Sequence, residues 1–369
     1  MKYIEVESQE ALLEILKKSK KVKAYAFQNL DFKPVKDIAK KNKFSDCFFL
    51  GCDIPKSLYK RGINTCLVFP KIDVPYNTFI NSLYTNQTLF ADYELGNPES
   101  YELTPDKIIY NHYLKTGKEA EDIVETLARR LHDHAISDAL YDFLNGYNPK
   151  KIVAIMGGHS LSRADNTYLE VARISRDLAE QGYLMVSGGG PGAMEATHLG
   201  VWFAGKADKD LQKAVKILAQ APLFKDTLWI DKAFEVLQLY PDTNYKSLGI
   251  PTWLYGHEPP TPFATHIAKY FANSVREDRI LTIAKGGIIF TPGSAGTIQE
   301  IFQDATQNHY LSFGYASPMV FFNTKYWQVE RPVYPLLKQL ADEGKYQNMI
   351  LSNYDTREEV VAEIRRFTD

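Results

Sequence analysis

Residues 286–300 decide the fold of this chain, and they read GGIIFTPGSAGTIQE. The segment 286–290 is apolar without alternation, which is typical of a parallel strand covered on both of its faces. The proline and the two glycines that follow predict a tight turn at which a ligand can approach the backbone closely. Residues 297–310 then show apolar side chains at helical spacing. The stretch therefore predicts a buried strand, a glycine turn and a helix.

A glycine turn at the start of a helix predicts a binding site for an anion. The first backbone N–H groups of a helix have no partner within it, and the helix dipole favours negative charge at this end. Glu300 lies one turn inside the predicted helix, so its carboxylate can face the same crevice. Taken alone, the turn is equally compatible with an ordinary strand–helix connection and a solvated glutamate. The choice depends on features upstream.

The composition of the chain is that of a globular protein. Of its 369 residues, 45% are hydrophobic and 24% are charged, and the formal net charge is -2. This length accommodates two domains. Because the charge is nearly balanced, the chain has no overall attraction to nucleic acid or to anionic membranes, and we expect neither as a partner.

The sequence shows no signal for export or membrane insertion. The segment 1–21 carries charges throughout and lacks the apolar core of a signal peptide, and no apolar run is long enough for a spanning helix. Three cysteines, Cys47, Cys52 and Cys66, are too few and too unevenly spaced for a disulfide framework or a zinc site. We expect a cytoplasmic protein with reduced thiols.

Two domains are expected, with residues 1–147 forming a smaller N-terminal α/β module, an aromatic-rich linker and a long helix. Strands are predicted over 21–27, 48–51 and 65–69, and the segment 44–52 suggests a coiled β arrangement, although one such turn is not a repeat.

In the long helix, predicted over 119–147, His132 and His134 are two positions apart and therefore on different faces. This spacing does not suit a pair of metal ligands. We expect these histidines to be solvated or to lie at an interface.

Residues 148–369 alternate predicted strands with helices, which is the pattern of a doubly wound sheet. We count about six strands, a helical insertion at about 201–246 and a further helical segment over 263–284. The predicted fold class is α/β, a Rossmann-like doubly wound parallel sheet with helices on both faces. The smaller N-terminal α/β module is added to it.

Three of the predicted strands end in glycine-rich turns, which would open on one edge of a parallel sheet. Three such turns together predict a phosphorylated ligand across this edge. An NAD site is disfavoured, because no acidic residue stands at the required distance after the glycines. The predicted phosphate- and nucleotide-binding residues are Gly157, Gly158, Ser160, Gly188, Gly189, Gly190, Gly192, Met194, Glu195, Pro292, Gly293, Ser294, Ala295, Gly296 and Thr297.

Arg276 lies on the helix that feeds the central strand, so it can reach the same sheet edge. Its guanidinium is suited to hold a phosphate through two hydrogen bonds or to face a charged transition state. The alternative is an exposed face of ion-paired charges, which we prefer for Arg279.

The turn at 188–194, Arg276 and the run PGSAGTIQE at 292–300 together resemble the LOG (LONELY GUY) family of nucleoside-monophosphate phosphoribohydrolases. That family is marked by a PGGxGTxxE motif preceded by a helix with a functional arginine. The form GPGAM at 190–194 is more similar to the bacterial purine/pyrimidine nucleotide 5'-monophosphate nucleosidases of the same superfamily. The resemblance covers about residues 150–325. Ser294 and the insertion at 201–246 depart from it.

The resemblance implies a hydrolase that cleaves the N-glycosidic bond of a nucleoside 5'-monophosphate to give a free base and ribose 5-phosphate. Glu300 and Arg276 would be catalytic. A carboxylate stabilises the oxocarbenium-like transition state of such a reaction while it orients or deprotonates water. Arg276 would hold the phosphate or the ribose. No metal or other cofactor is expected, and the family's sites near a dimer interface imply a homo-oligomer, dimeric or higher.

Two other functions remain open at this point. A non-catalytic nucleotide or molybdenum-cofactor binding or carrier protein would need the glycine turns but not the Glu300 carboxylate in the crevice. A single-stranded DNA binder is disfavoured by the balanced charge and by the lack of a basic groove laced with aromatic residues.

Overall fold

The computed structural model describes residues 3–368, which divide into two compact units. The first unit comprises residues 3–83 and 111–143, and the second comprises residues 84–110 and 144–368. This division differs from the boundary expected at residues 147–148, because the segments 84–110 and 144–147 belong to the second unit.

The first unit is built around a short coil of parallel strands. Its described strands are β1 (Ile4–Val6), β2 (Lys21–Lys23), β3 (Tyr25–Gln28), β4 (Lys43–Ser45), β5 (Phe48–Leu50) and β6 (Leu67–Phe69). They form two parallel sheets of order β1-β3-β5-β6 and β2-β4. The central layers are 22 positions apart, since Lys21 pairs with Lys43 and Phe27 pairs with Phe49. The coiled turn suggested for the segment 44–52 therefore has an equivalent turn, 22 positions earlier, in the neighbouring layer.

The corners of this coil depend on left-handed backbone at equivalent positions. Ala24 and Asp46 have φ angles of 60° and 48°, and Asn29 and Gly51 have φ angles of 53° and 61°. The Ala24 N–H donates to the Asp46 carbonyl (3.1 Å), so a corner of one layer bonds to the same corner of the next. Because Ala24 interrupts the segment 21–27, that segment forms two short strands instead of the predicted one.

Aromatic rings fill the interior of the coil. The side chains of Phe27, Phe32, Phe44 and Phe49 are at most 1% exposed. The rings of Phe27 and Phe49 belong to adjacent layers and stack with their centroids 5.2 Å apart. Each fully buried side chain of this size contributes about 1.5–3 kcal/mol relative to an exposed one, so these rings are a principal source of the coil's stability.

The helices up to residue 144 are α1 (Gln9–Lys18), α2 (Lys36–Ala39), α3 (Asn86–Leu89), α4 (Pro105–Thr116) and α5 (Ile123–Leu144). In α5, His134 is exposed, whereas His132 is fully buried. The Nδ1 atom of His132 lies 3.3 Å from Asp133 Oδ1, and the ring of Tyr76 meets the His132 ring edge-on. The expectation of a solvated or interfacial histidine is therefore wrong for His132, which lies on the packed side of the helix.

The second unit contains a seven-stranded sheet in which every pair of neighbouring strands is parallel. Its strands are β7 (Ile152–Met156), β8 (Leu184–Ser187), β9 (Ser247–Gly249), β10 (His266–Ile267), β11 (Gly287–Phe290), β12 (Pro318–Phe322) and β13 (Ile350–Tyr354). The sequence analysis did not predict β10, which lies in the segment 263–284 that we expected to be helical. It is only two residues long, so it leaves no pattern to detect.

Helices cover both faces of this sheet. They are α6 (Asn166–Glu180), α7 (Ala193–Trp202), α8 (Asp208–Leu218), α9 (Trp229–Leu239), α10 (Asn273–Ile283), α11 (Ala295–Tyr310), α12 (Val333–Asp342) and α13 (Arg357–Thr368). All five residues of β7 are buried although their side chains point alternately to the two faces. The predicted α/β fold with a Rossmann-like parallel sheet is thus confirmed. Within residues 3–368, no helix combines the length and the apolar character needed to cross a membrane.

The order of the strands defines where a ligand site belongs. The sheet runs β10-β9-β8-β7-β11-β12-β13, so the chain moves from β7 to one edge and then returns to build the other half from β11. The sheet therefore has its topological switch point between β7 and β11. In open parallel sheets, ligands bind in the crevice beyond the carboxyl ends of the strands at such a point.

Candidate functional site

The three glycine turns of the second unit meet at the carboxyl ends of β7, β8 and β11. The Gly158 N–H donates to the Pro292 carbonyl (3.0 Å), which joins the turn after β7 to the turn after β11. The Ala193 N–H donates to the Gly158 carbonyl (3.1 Å), which joins the turn after β8 to the same residue. The backbone of Gly158 thus links all three turns into one rigid structure.

Protein atoms approach the backbone closely at two glycines of this site. Gly192 has φ 68°, and a Cβ atom on it would collide with the Gly158 carbonyl oxygen. A Cβ atom on Gly188 would collide with Nη2 of Arg276. The turn after β8 therefore has to be narrow to admit both the neighbouring turn and the guanidinium.

A cavity of about 400 Å³ lies over the junction of the turns. It contains both residues predicted to be catalytic. The other predicted residues that line it are Gly157, Gly158, Met194, Ser294, Ala295, Gly296 and Thr297. The predicted residues outside its lining are Ser160, Gly188, Gly189, Gly190, Gly192, Glu195, Pro292 and Gly293. The lining also includes Tyr255 and Glu258, from the segment after β9, and three residues that sequence reasoning did not assign to the site, His159, Glu277 and Gln299.

The N-terminus of α11 forms one wall of the cavity. Residues 294–297, which are the cap and the first turn of this helix, all line it. Within the described residues, the Ser294 side chain makes no capping hydrogen bond to the helix. The first N–H groups of a 16-residue helix therefore border the cavity without a side-chain cap, which favours an anion at this wall.

Arg276 reaches the cavity from α10. Its Nε atom donates to the carbonyl of Ile250 (2.9 Å), in the loop after β9, which fixes the orientation of the guanidinium. The Nη1 atom lies 3.8 Å from Oε1 of Glu300. The side chain is only 12% exposed, so its charge is little screened by water.

Glu300 is the group with the most perturbed protonation in the cavity lining. The pKa of its carboxyl is raised to about 7, chiefly by burial. The positive charge of Arg276 lowers this pKa, and the negative charge of Glu277 raises it. Desolvation outweighs the ion pair because the two charged groups are 3.8 Å apart and not hydrogen-bonded at close range. A carboxyl that changes charge near neutral pH inside a cavity is suited to accept or donate a proton.

Glu195 is a correction to the predicted site. It is fully buried, and Nε and Nη2 of Arg163 donate to its two oxygens at 2.7 and 2.6 Å. The hydroxyl of Tyr168 also donates to this carboxylate (2.9 Å). Glu195 therefore lies outside the cavity lining and holds the first turn of α7, next to the cavity residue Met194. Ser160 is exposed and likewise lies outside the lining.

A buried chain of polar side chains, which sequence reasoning missed, supports the turn after β8. The Gly189 N–H donates to Ser187 Oγ (3.1 Å), which lies 2.8 Å from Nε2 of His198. The other ring nitrogen of His198 lies 2.9 Å from Ser247 Oγ. Burial lowers the pKa of His198 to about 3, so the ring is neutral and can donate on one side and accept on the other.

Among residues 3–368, one group of three side chains lies close enough together to hold a metal ion, and it does not line the cavity. In the part of the chain that the structure describes, the one cluster of three such groups is Glu5, Asp138 and Asp142, in the first unit. The polar groups that line the cavity include a helix N-terminus, a fixed guanidinium, carboxyl groups and the side chain of His159.

Comparison with known proteins finds similarity among solved structures. No protein-family model matches the chain, and no curated protein matches it. The molybdenum cofactor binding protein of the phototrophic bacterium Rippkaea orientalis is 12% identical, with a TM-score of 0.36 over 59% of this chain and 97% of that one. The Moco carrier protein of Chlamydomonas rheinhardtii is 13% identical, with a TM-score of 0.35 over 58% and 96%.

A third similar structure, named TM1055, is 19% identical, with a TM-score of 0.38 over 58% of this chain and 98% of that one. At these identities and scores, the likeness concerns the fold alone and identifies neither a family nor a function. The function has to be argued from the cavity itself.

Proposed function

We propose that the second unit is a nucleoside 5'-monophosphate phosphoribohydrolase, which releases a free base and ribose 5-phosphate. The observation that carries this proposal is the placement of Glu300, whose pKa is raised to about 7, in one cavity with Arg276 and the N-terminus of α11. A protein that only carries a phosphorylated ligand needs the guanidinium and the helix terminus. It does not need a buried carboxyl beside them.

In this proposal the 5'-phosphate binds at the start of α11. The N–H groups of the first turn and the positive end of the helix dipole attract the phosphate dianion. Arg276, held by its bond to Ile250, supplies a full positive charge at the same wall. The ribose then lies over Glu300, one turn further along the helix.

Glu300 acts in its ionised form on the sugar. As the bond between C1' and the base breaks, the bonding electrons leave with the base and C1' becomes positively charged. The carboxylate stabilises this charge and takes a proton from the water that attacks C1'. Glu300 then loses this proton to solvent, the departing base takes up one proton, and the products are ribose 5-phosphate and the free base.

The test incubates the purified protein with a panel of ribonucleoside and deoxyribonucleoside 5'-monophosphates and with the corresponding nucleosides. Chromatography then measures the free base. We expect base release from at least one monophosphate and none from its nucleoside, because the nucleoside lacks the phosphate. The Glu300→Gln variant removes the charge at nearly constant volume and should lower kcat about 10²–10⁴-fold.

The matched control is Asp278→Asn, the same chemical change at an exposed position of α10. It should leave the rate unchanged. If no monophosphate releases a base while calorimetry still detects nucleotide binding, the hydrolase is excluded and a carrier of phosphorylated ligands takes its place. The resemblance also leads us to propose a homo-oligomer, which light scattering can measure on the same sample.

A further inference from the structure

The cavity contains a second carboxylate, Glu258, which is flanked by two histidines. Glu258 is in the loop after β9, and its side chain is 15% exposed. Its Oε1 atom lies 3.6 Å from Nδ1 of His159 and 3.7 Å from Nε2 of His257. His159 and Glu258 both line the cavity that holds Glu300 and Arg276, whereas His257 is not part of that lining.

The position of His159 is fixed on several sides. It follows Gly158, whose N–H and carbonyl bond to the turns after β11 and β8. The ring of Phe224 meets the His159 ring edge-on, with centroids 5.9 Å apart. Oε1 of Glu258 faces Nδ1, so Nε2 is the ring nitrogen that this carboxylate does not face. This is the arrangement in which a carboxylate orients a histidine for proton transfer.

We propose that His159, oriented by Glu258, donates the proton that the departing base requires. This inference rests on the proposed hydrolysis of a nucleoside monophosphate. Nε2 of the His159 imidazolium gives its proton to a ring nitrogen of the base while the bond from C1' to the base breaks. Water adds to C1' and gives its proton to Glu300. His159 is then neutral and Glu300 protonated, and the enzyme is restored when Glu300 releases its proton to solvent and His159 takes one up.

The proposal separates two tasks that one carboxyl could not perform at the same moment. Glu300 has to be ionised to stabilise C1' and to accept a proton from water, so it cannot also protonate the base in that step. Enzymes that break glycosidic bonds use two groups for these two tasks. Here the second group is a histidine with Glu258 as its positioning residue, at a distance of 3.6 Å that a bound ligand can shorten.

The experiment compares two leaving groups in the same enzyme. A purine nucleotide releases a base that has to be protonated, whereas its N7-methyl counterpart is already positively charged and leaves without a proton. For a protein that prefers pyrimidines, the pair is the uracil nucleotide and its 5-nitro derivative, whose base leaves as a stable anion. The variants are His159→Gln, Glu258→Gln and, as the matched control, His257→Gln.

We expect His159→Gln to lower kcat on the unmodified nucleotide on the order of 10²-fold and to change kcat on the modified nucleotide less than about threefold. Glu258→Gln should show the same dependence on the leaving group with a smaller loss. His257 contacts the same carboxylate but lies outside the cavity lining, so His257→Gln should have the kcat of the wild type on both nucleotides. Free imidazole should restore base release by a His159→Ala variant, because the site of this half-exposed ring is open to solvent.

The outcomes are distinct. Equal losses on both nucleotides, without rescue by imidazole, would show that His159 only supports the fold and would overturn the inference. Unchanged kcat in His159→Gln would overturn it as well. If the wild type releases a base from neither nucleotide, the proposed hydrolysis itself fails, and this result does not depend on any His159 variant.

Discussion

The two units of this protein both use parallel strands, yet they use the ends of the strands in opposite ways. In the coil of the first unit, the chain turns at left-handed corners, and the corner N–H of Ala24 bonds to the next layer. In the second unit, helices connect the strands, and the turns after β7 and β11 border a cavity together with the start of the helix after β8. At a corner that repeats in the next layer, the backbone N–H group makes a hydrogen bond between layers. A turn before a helix instead leaves N–H groups free to bind a ligand.

The largest expected effect concerns the interior of the coil. Phe49→Ala removes a fully buried ring that stacks on Phe27, and it should lower the free energy of unfolding by about 3–5 kcal/mol. Urea titration measures this change. The control is Phe69→Ala on β6 of the same sheet, whose side chain is 39% exposed and should matter much less. Equal effects of the two variants would mean that the layers are not held together by the buried rings.

The next effect concerns the narrow turn of the second unit. Gly188→Ala places a methyl group against Nη2 of Arg276 and Sδ of Met194 and should displace both side chains from the cavity wall. Since a misplacement of about 1 Å can cost about 10²-fold in rate, we expect a loss of that order in kcat/KM for base release. Ser274→Ala, at an exposed position of the same helix, is the control. Full activity in Gly188→Ala would remove Arg276 from the proposed site.

The protonation of Glu300 predicts a dependence of the reaction on pH. Because burial raises the pKa of this carboxyl to about 7 and the ionised form is active, kcat/KM should fall about tenfold for each pH unit below 7. Glu277→Gln removes a negative charge that raises this pKa, so the acidic limb should move to lower pH by less than about one unit. A shift to higher pH would contradict the assignment of the limb to Glu300.

The smallest effect concerns the backbone strain at a left-handed corner of the coil. Ala24 has φ 60°, a conformation that costs an alanine about 1–2 kcal/mol. Ala24→Gly relieves this cost but loses about 0.5–1 kcal/mol through the entropy of the unfolded chain, so a net gain of about 0.5 kcal/mol is expected. Ala26→Gly, inside β3, should instead destabilise the protein. The opposite signs can be measured by thermal or urea unfolding.

The sequence predicts the second unit far better than the first, for a physical reason. A buried strand that passes through a glycine turn into an amphipathic helix carries its signal within about 25 neighbouring residues, and α11 was predicted in this way. In the coil, the repeat rests on pairs such as Phe27 with Phe49 and Asn29 with Gly51. The first pair is identical in sequence, but the second shares only its backbone conformation, so the repeat is too short and too imperfect to recognise from the sequence.

The site shows the same limit. Glu300 and Arg276 lie in recognisable motifs, and both line the cavity. Glu195 also lies in a motif, but its role is set by Arg163, a buried partner 32 positions earlier. His159 and Glu258 come from separate loops, and only the packing of β7, β8 and β9 brings them to the same cavity. Local patterns predict what a turn can bind, whereas partners from distant strands decide which side chains reach the ligand.

The bond between Gly158 and Pro292 also limits when a ligand can bind during folding. It joins the turns after β7 and β11, the first and fifth strands of the second unit. The pairing of these two strands closes a long loop and is therefore slow to form. A chain in which β11 has not yet docked beside β7 has only half of the cavity. A ligand thus binds the folded second unit and not its partly folded forms, so at a hundredfold excess over its Kd it adds about 2.7 kcal/mol to stability. A rise in melting temperature can consequently find ligands for this cavity before any reaction is known.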